Sequence, residues 1–189
     1  MSIAFVFHLG SRLLPYLPPA LGYRLCDYLS FFAPLSPAWP QILANLERVV
    51  PHEPAATRRR YAREIVDGLL KNYYDLLRAH ALSPSELART CDIRGLPNLF
   101  GALSRGKGVL VAMPHIGNLS LVAEPVATLA QSQIVVIVEQ MQDPAVHRLL
   151  NTLRRRSNTT PVEIGLHSAR AIIQALRAGQ IVVLPCDRT

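Results

Sequence analysis

Apolar and polar positions follow two different spacings along the second half of the chain. Short apolar runs of strand length are separated by segments whose apolar residues recur every three or four positions, as they do in amphipathic helices. The pattern predicts strands at 108–113, 134–138, 162–164 and 181–185, and helices between them at 118–130, 144–156 and 168–178. Strands that alternate with helices form βαβ units, so the sequence predicts an α/β fold with a mostly parallel sheet flanked by helices.

The first hundred or so positions show the helical spacing almost throughout. Helices are expected at 3–14, 20–32, 39–50, 57–80 and 97–105, with an edge strand at 91–94 and a short helix opened by a capping box at 83–86. The pattern divides the chain into an apolar helical region, residues 1–56, and an α/β domain, residues 57–189.

The N-terminal region is crowded with aromatic and aliphatic side chains, and prolines interrupt it at positions 15, 18 and 19. No part of it has the roughly 20 uninterrupted apolar residues that a membrane-spanning helix needs. Two arrangements remain open. The helices either lie in the membrane interface, with Arg12 and Arg24 reaching the headgroups, or form a helical cap packed on the core.

The composition favours an anionic partner. The net charge is +7, the isoelectric point is about 9.8, and half of the residues are hydrophobic. No nucleic-acid motif is present, so an anionic membrane surface is favoured and nucleic acid is not expected. The three scattered cysteines form neither a disulfide framework nor a metal site, which indicates a reducing compartment and no bound metal. Cys186 is expected to be a small buried residue.

Candidate chemistry lies where the first predicted strand ends. His115, Gly117 and Asn118 follow this strand and open the next helix. Ligands of open parallel sheets bind beyond the carboxyl ends of the strands, and the imidazole of histidine titrates near neutral pH. From its position alone, His115 is either a catalytic base or a histidine satisfied within the structure.

The signature formed by Gly106-Lys107-Gly108-Val109 and His115-x-Gly117-Asn118 resembles the late acyltransferases of bacterial lipid A biosynthesis, including the branch that acylates phosphatidylinositol mannosides. The segments N-L-E-R-V-V-P and K-N-Y-Y-D-L-L-R are similar to the helical N-terminal region of that family. The resemblance covers about residues 46–188. It implies a glycerolipid acyltransferase-like fold, with a fatty acyl chain moved from acyl-CoA or acyl-carrier protein to a hydroxyl of a membrane glycolipid or lysolipid. It also implies the cytoplasmic face of the inner membrane as the location, with the thioester donor as a co-substrate and no cofactor.

The resemblance assigns roles to the residues of the signature. His115 would be the general base, and Gly117 would let the backbone approach the substrate closely. Asn118 either caps the helix or contacts the substrate. The family has a carboxylate five positions after the histidine, where this chain has Ser120, counted here among the substrate-binding candidates. Glu124, one helical turn further on, either supplies the missing charge to the imidazole or is a polar residue on a solvated face.

Further candidates follow the later strands. Glu139 and Arg154 match family residues and would form an ion pair beside the pocket, or Arg154 would bind a headgroup or donor phosphate. Asp187 and Arg188 resemble the aspartate–arginine step of the family after the last strand. Family members continue beyond the position of Thr189, so the α/β domain is expected to be incomplete, with a separate C-terminal half as a possible partner. The alternative function is a catalytically silent or split-gene remnant that retains membrane binding.

Overall fold

The computed structural model describes residues 3–114, 116, 118–141, 143–155 and 158–186, and it leaves the side chains of Ile3, Leu119 and Ser120 undescribed. Its helices are α1 Ile3–Leu13, α2 Pro19–Ser30, α3 Trp39–Val49, α4 Ala55–Ala79, α5 Pro84–Thr90, α6 Leu96–Leu103, α7 Leu119–Ala130, α8 Pro144–Arg154 and α9 Ser168–Arg177. Its strands are β1 Val109–Met113, β2 Ile134–Val138, β3 Thr159–Glu163 and β4 Ile181–Pro185.

The four strands form a parallel sheet in the order β1-β4-β2-β3. Ile181 pairs with both Val109 and Ile134, and Ile134 also pairs with Thr159, so all four strands begin at the same edge. Their carboxyl ends therefore share the opposite edge. The predicted α/β fold with a parallel sheet flanked by helices is confirmed.

The apolar strand residues bury both faces of the sheet, as expected for parallel strands covered by helices. On one face, Val135, Ile137 and Val182 pack against Ala175 of α9. On the other face, Ile134 and Ile181 pack against α7, and partly buried residues of α6 complete this layer.

Helix α4 joins the N-terminal helices to the sheet layer. Its residues Leu76 and Leu77 pack against Val146, Leu150 and Leu153 of α8 to form a buried cluster. Part of α1 covers this cluster, and α2 packs along α4. The helices before residue 56 therefore bury one side against the rest of the fold, as the helical-cap alternative requires.

Close contacts hold α2, and the residue two positions before it, on α4. Tyr74 donates a hydrogen bond from its hydroxyl to the Leu17 carbonyl oxygen at 2.7 Å. A Cβ atom placed on Gly22 would lie 2.3 Å from the Tyr74 ring, so only glycine permits this approach. Lys71 forms ion pairs at 2.6 Å with Asp27 of α2 and with Asp67 of its own helix.

The structure also corrects several sequence predictions. The third strand occupies 159–163 rather than 162–164, and residues 91–94 form no strand. The start of β3 was missed because Thr159 and Thr160 are polar and interrupt the apolar pattern. Pro161 is tolerated in β3 because this strand is the last one on its side of the described sheet. Cys186 is exposed, because it lies just past the end of β4. The capping box at Ser83 and Glu86 is confirmed.

Candidate active site

The carboxyl edge of the sheet carries the positions that directly follow the strands. These positions are Pro114 after β1, Glu139 after β2, Ile164 after β3 and Cys186 after β4. His115, Gly117, Asp187 and Arg188, together with the side chain of Ser120, lie outside the described residues, so their predicted roles stay predictions. The neighbours of His115 that are described, Pro114 and Ile116, are both exposed.

Asn118 caps the helix that follows the signature. Its side-chain oxygen accepts a hydrogen bond from the Leu121 backbone N–H at 3.2 Å. Its side-chain amide donates to Oδ2 of Asp75 on α4 at 3.0 Å. The capping role is therefore present in the structure, while a contact with substrate stays a prediction. Both ends of the Asn118 amide are engaged, which orients the start of α7.

Asp75 is a residue of the site that sequence reasoning missed. Its Oδ1 accepts a hydrogen bond from the Tyr23 hydroxyl at 3.0 Å, while its Oδ2 accepts from Asn118. Burial raises the pKa of the Asp75 carboxyl above its usual value, although these two hydrogen bonds and nearby Arg78 oppose the shift. Burial and this carboxylate raise the pKa of Tyr23 to about 12. The available signal was the family-like segment K-N-Y-Y-D-L-L-R, which contains Asp75.

Glu124 is buried, with only 2% of its surface exposed. Its Oε2 accepts a hydrogen bond from the Thr159 hydroxyl at 3.0 Å, and its Oε1 accepts from the Asn158 amide at 3.5 Å. The expectation of a solvated face is therefore wrong. Thr159 begins β3, so this carboxylate is bound at the amino edge, about 13 Å along the strands from the carboxyl edge. A contact between Glu124 and His115 stays a prediction that this placement does not favour.

Glu139 and Arg154 lie in different surroundings. Glu139 is exposed at the carboxyl edge, whereas Arg154 ends α8 and is half-buried near Tyr73 of α4. Burial lowers the pKa of the Arg154 guanidinium, and nearby Tyr73 opposes the shift. Among the ion pairs that join described residues, none connects Glu139 to Arg154. The expected Glu139–Arg154 pair is therefore not formed in this structure.

A second histidine at the carboxyl edge has a structural role. His147 is buried on α8, its Nδ1 accepts a hydrogen bond from the Met141 backbone N–H at 3.2 Å, and its Nε2 lies 2.7 Å from Oε1 of Glu163. A backbone N–H that donates to Nδ1 leaves the ring proton on Nε2, which faces Glu163, and the side-chain amide of Asn151 also lies 3.0 Å from Nε2. Both ring nitrogens are occupied, so His147 braces the segment after β2 against β3 and has no nitrogen available as a base.

The N-terminal helices expose many large apolar side chains. We call the following exposed set the N-terminal apolar surface: Phe5, Val6, Leu9, Leu13, Tyr16, Leu21, Tyr23, Leu25, Tyr28, Leu29, Phe31, Phe32 and Leu35. Arg63 of α4 lies 4.7 Å from the centre of the Phe31 ring, so positive charge accompanies this surface. Within the part of the chain that the structure describes, every helix is too short or too polar to span a bilayer.

Comparison with known proteins decides the family. The sequence model described as bacterial lipid A biosynthesis acyltransferase matches residues 2–189, which is nearly the whole chain. The chain belongs to this acyltransferase family. Its sequence is also 27% identical over 109 residues to a phosphatidylinositol mannoside acyltransferase of Mycolicibacterium smegmatis, an alignment that covers 58% of this chain and 36% of that protein. The chain thus aligns with little more than a third of this relative.

The match confirms, at the level of the family, the resemblance carried by the signature at 106–118. It also agrees with the fold, since the signature begins just before β1 and ends at the cap of α7. In sequence, the histidine of the signature follows β1. The carboxyl end of β1 lies at the edge of the sheet where α/β proteins bind ligands.

Proposed function

We propose that the chain is an O-acyltransferase that moves a fatty acyl chain from acyl-CoA or acyl-carrier protein to a hydroxyl of a membrane glycolipid or lysolipid. The observation that carries this proposal is the family match over residues 2–189, combined with the location of the signature at the carboxyl edge of β1. The alignment with a mannoside acyltransferase supports a glycolipid as the first acceptor to test.

His115 is the general base of the proposed reaction. Its neutral imidazole takes the proton of the acceptor hydroxyl while the hydroxyl oxygen attacks the thioester carbonyl. The tetrahedral intermediate collapses as the carbon–sulfur bond breaks, and the departing thiolate receives the proton from the imidazolium. The products are an ester and a free thiol. Gly117 and the backbone N–H groups at the start of α7 hold the negative charge on the oxygen of the intermediate.

Of the two glutamates named from the sequence, Glu139 rather than Glu124 is proposed to stabilise the imidazolium, a role that differs from the ion pair with Arg154 expected for it. Glu124 is bound to Thr159 at the amino edge, whereas Glu139 follows β2 at the same edge as the signature. One strand, β4, separates β1 from β2, so the two strands lie about 10 Å apart. An extended glutamate side chain and an extended histidine side chain are together long enough to span this separation.

Arg154 is proposed to bind a phosphate of the donor or of the acceptor headgroup. A guanidinium is costly to bury without an anion, and none of the ion pairs between described residues involves Arg154. The proposed substrate-binding set is completed by Asn118, Ser120, Asp187 and Arg188.

The protein is proposed to bind peripherally to the cytoplasmic face of the bacterial inner membrane through the N-terminal apolar surface. Interfacial helices bind by burying apolar side chains among the headgroups, and the net charge of +7 adds attraction to anionic lipids. This location would place the signature beside a lipid acceptor.

The test is direct detection of the product. The purified chain is incubated with anionic vesicles that contain either phosphatidylinositol mannosides or a lysolipid. The acyl donor is either acyl-CoA or acyl-carrier protein loaded with a fatty acyl chain. We expect mass spectrometry to show an acceptor heavier by one acyl chain, with an equal amount of free thiol released. Thiol release without acylated lipid would instead indicate hydrolysis.

A second candidate is a catalytically silent member of the family that retains membrane binding. The specific observation in its favour is Ser120, which stands where the family has a carboxylate. Binding to vesicles with no ester formed from either donor or acceptor would support this candidate over the enzyme.

A further inference from the structure

Three polar side chains connect the N-terminal helices to the signature. The Tyr23 hydroxyl of α2 donates to Oδ1 of Asp75 on α4, and the Asn118 amide donates to Oδ2 of the same carboxylate. Both bonds are 3.0 Å long, and they join residues that are 52 and 43 positions apart in sequence. Each oxygen of Asp75 therefore binds a different element.

The position of Asp75 is well determined by the packing of α4. The next residues along the helix, Leu76 and Leu77, are buried in the cluster with α8, and the preceding residue, Tyr74, packs against Gly22. The α4 backbone at this point cannot shift without disturbing both contacts. Asp75 thus presents a fixed anionic acceptor to the cap of α7.

We propose that Asp75 is a positioning residue for acyl transfer, which fixes the Asn118 cap and thereby the start of α7, directly after the signature histidine in sequence. The inference rests on the proposed function, in which the residues just before this cap carry the reacting groups. Hydrogen bonds to an ionised carboxylate are about twice as strong as neutral ones, so the half-buried anion restrains Asn118 more firmly than a neutral acceptor would.

The bond from Tyr23 extends this restraint to α2. Tyr23 lies between Leu21 and Leu25, two members of the N-terminal apolar surface. The geometry therefore links the helix that is proposed to contact lipid with the start of α7, which directly follows the residues proposed to carry out the chemistry. Loss of the Tyr23 hydroxyl frees one side of Asp75 and leaves the bond to Asn118 in place.

The distinguishing experiment compares Asp75→Ala, Asp75→Asn and Tyr23→Phe in the full chain. We expect Asp75→Ala to lower kcat about 100-fold with KM for the thioester donor within about a factor of two, because misplacing a reacting group by about 1 Å costs this much. Asp75→Asn restores part of kcat, because its amide accepts from Asn118 and donates to Tyr23. Tyr23→Phe lowers kcat by about tenfold or less, in line with the loss of one hydrogen bond.

A second readout does not depend on activity. The Leu121 N–H donates to the side-chain oxygen of Asn118 and also to its backbone carbonyl oxygen, both at 3.2 Å, so faster hydrogen exchange at this amide reports that the side-chain bond of the cap is lost. We expect at least about tenfold faster exchange in Asp75→Ala. The matched control is Asp67→Asn, which removes another carboxylate of α4 that binds Lys71 and makes no contact with Asn118 in the described structure.

The outcomes are separable. Equal losses of kcat in Asp75→Ala and Asp67→Asn, or an unchanged Leu121 amide in Asp75→Ala, would overturn the positioning role. Absence of acyl transfer in the unmodified protein would overturn the proposed function, while the exchange measurement would still decide whether Asp75 fixes the Asn118 cap.

Discussion

The individual carboxylates of this chain differ sharply in what surrounds them. Glu124 is fully buried and bound by Thr159 at the amino edge, whereas Asp75 is half-buried and bound by Tyr23 and Asn118 beside the signature. The sequence could not distinguish them, because the Asp75 contacts depend on how α4 docks against α7. Only the three-dimensional arrangement shows which carboxylate lies near the signature.

The first prediction at this scale concerns Asp75 and pH. The facing groups are Tyr23 from α2, Asn118 at the start of α7 and Arg78 on α4 itself, and burial still raises the pKa of the carboxyl above its usual value. The folded state therefore holds this proton more tightly than the unfolded chain does. The contribution of Asp75 to stability is complete below the unfolded pKa and is lost as the pH rises through the folded pKa.

Asp75→Asn keeps a neutral side chain at all pH values, so it is expected to melt at a higher temperature than the unmodified protein at pH 7. The difference should vanish in acid, below about pH 4, the ordinary range of an aspartate. Thermal melts across pH test this expectation, with the exposed Asp92→Asn as the control. A lower melting temperature for Asp75→Asn at pH 7 would contradict it.

The second residue-scale prediction concerns Glu124. Glu124→Ala leaves the buried Thr159 hydroxyl without its acceptor, and we expect it to lower the free energy of unfolding by about 2 kcal/mol. Glu124→Gln retains an acceptor and should lose less stability, with kcat unchanged. Urea unfolding and acyl-transfer assays measure the two effects. A loss of kcat in Glu124→Gln as large as that in His115→Ala would return Glu124 to the mechanism.

At the scale of elements, the apolar pattern was informative where an element is uniformly buried. Strands β2 and β4 were predicted with the bounds they have, because both are continuous apolar runs. The bounds of β3 were missed because edge strands admit polar residues and proline, and the segment 91–94 alternates in polarity without finding a strand partner within the described sheet. Pairing between strands is a long-range property that local spacing does not encode.

The packing of α2 on α4 gives an element-scale prediction. Gly22→Ala places a methyl group 2.3 Å from the Tyr74 ring, so α2 must move away from α4. We expect a loss of about 1–3 kcal/mol in the free energy of unfolding, the usual cost of overpacking.

Gly68→Ala is the matched control, since nothing lies within 4 Å of its added methyl group. Alanine is more favourable than glycine in the interior of a helix, so this control should raise the free energy of unfolding by up to about 1 kcal/mol. Chemical denaturation compares the two variants. Equal effects of both substitutions would contradict the close packing described for α2.

At the scale of the whole molecule, the parallel sheet and the N-terminal apolar surface are joined through α4. This arrangement explains why the helices before residue 56 pack as a cap on one side and expose large apolar residues on the other. The signature itself was recognisable from the sequence because its residues are contiguous. The connection of the signature to the N-terminal helices could not be recognised from the sequence, because Tyr23, Asp75 and Asn118 come from three separate elements.

The exposed apolar residues give a whole-molecule prediction. Replacing Phe31 and Leu35 together by serine should weaken binding to anionic vesicles at least about tenfold, because burial of each side chain contributes about 1.5–3 kcal/mol. Leu166→Ser, at an even more exposed apolar position on the segment before α9, is the control and should bind as the unmodified protein does. Vesicle co-sedimentation measures the difference, and equal binding by all three proteins would contradict a membrane-facing N-terminus.

The most direct test of the account is acyl transfer by the protein and by its His115→Ala variant, on anionic vesicles that carry the acceptor. His52→Ala serves as the control, since His52 is an exposed residue in the segment before α4. The account predicts ester formation by the unmodified protein and by His52→Ala, and a loss of at least about 100-fold in His115→Ala, the scale of general base catalysis. Ester formation by His115→Ala at the unmodified rate would contradict it.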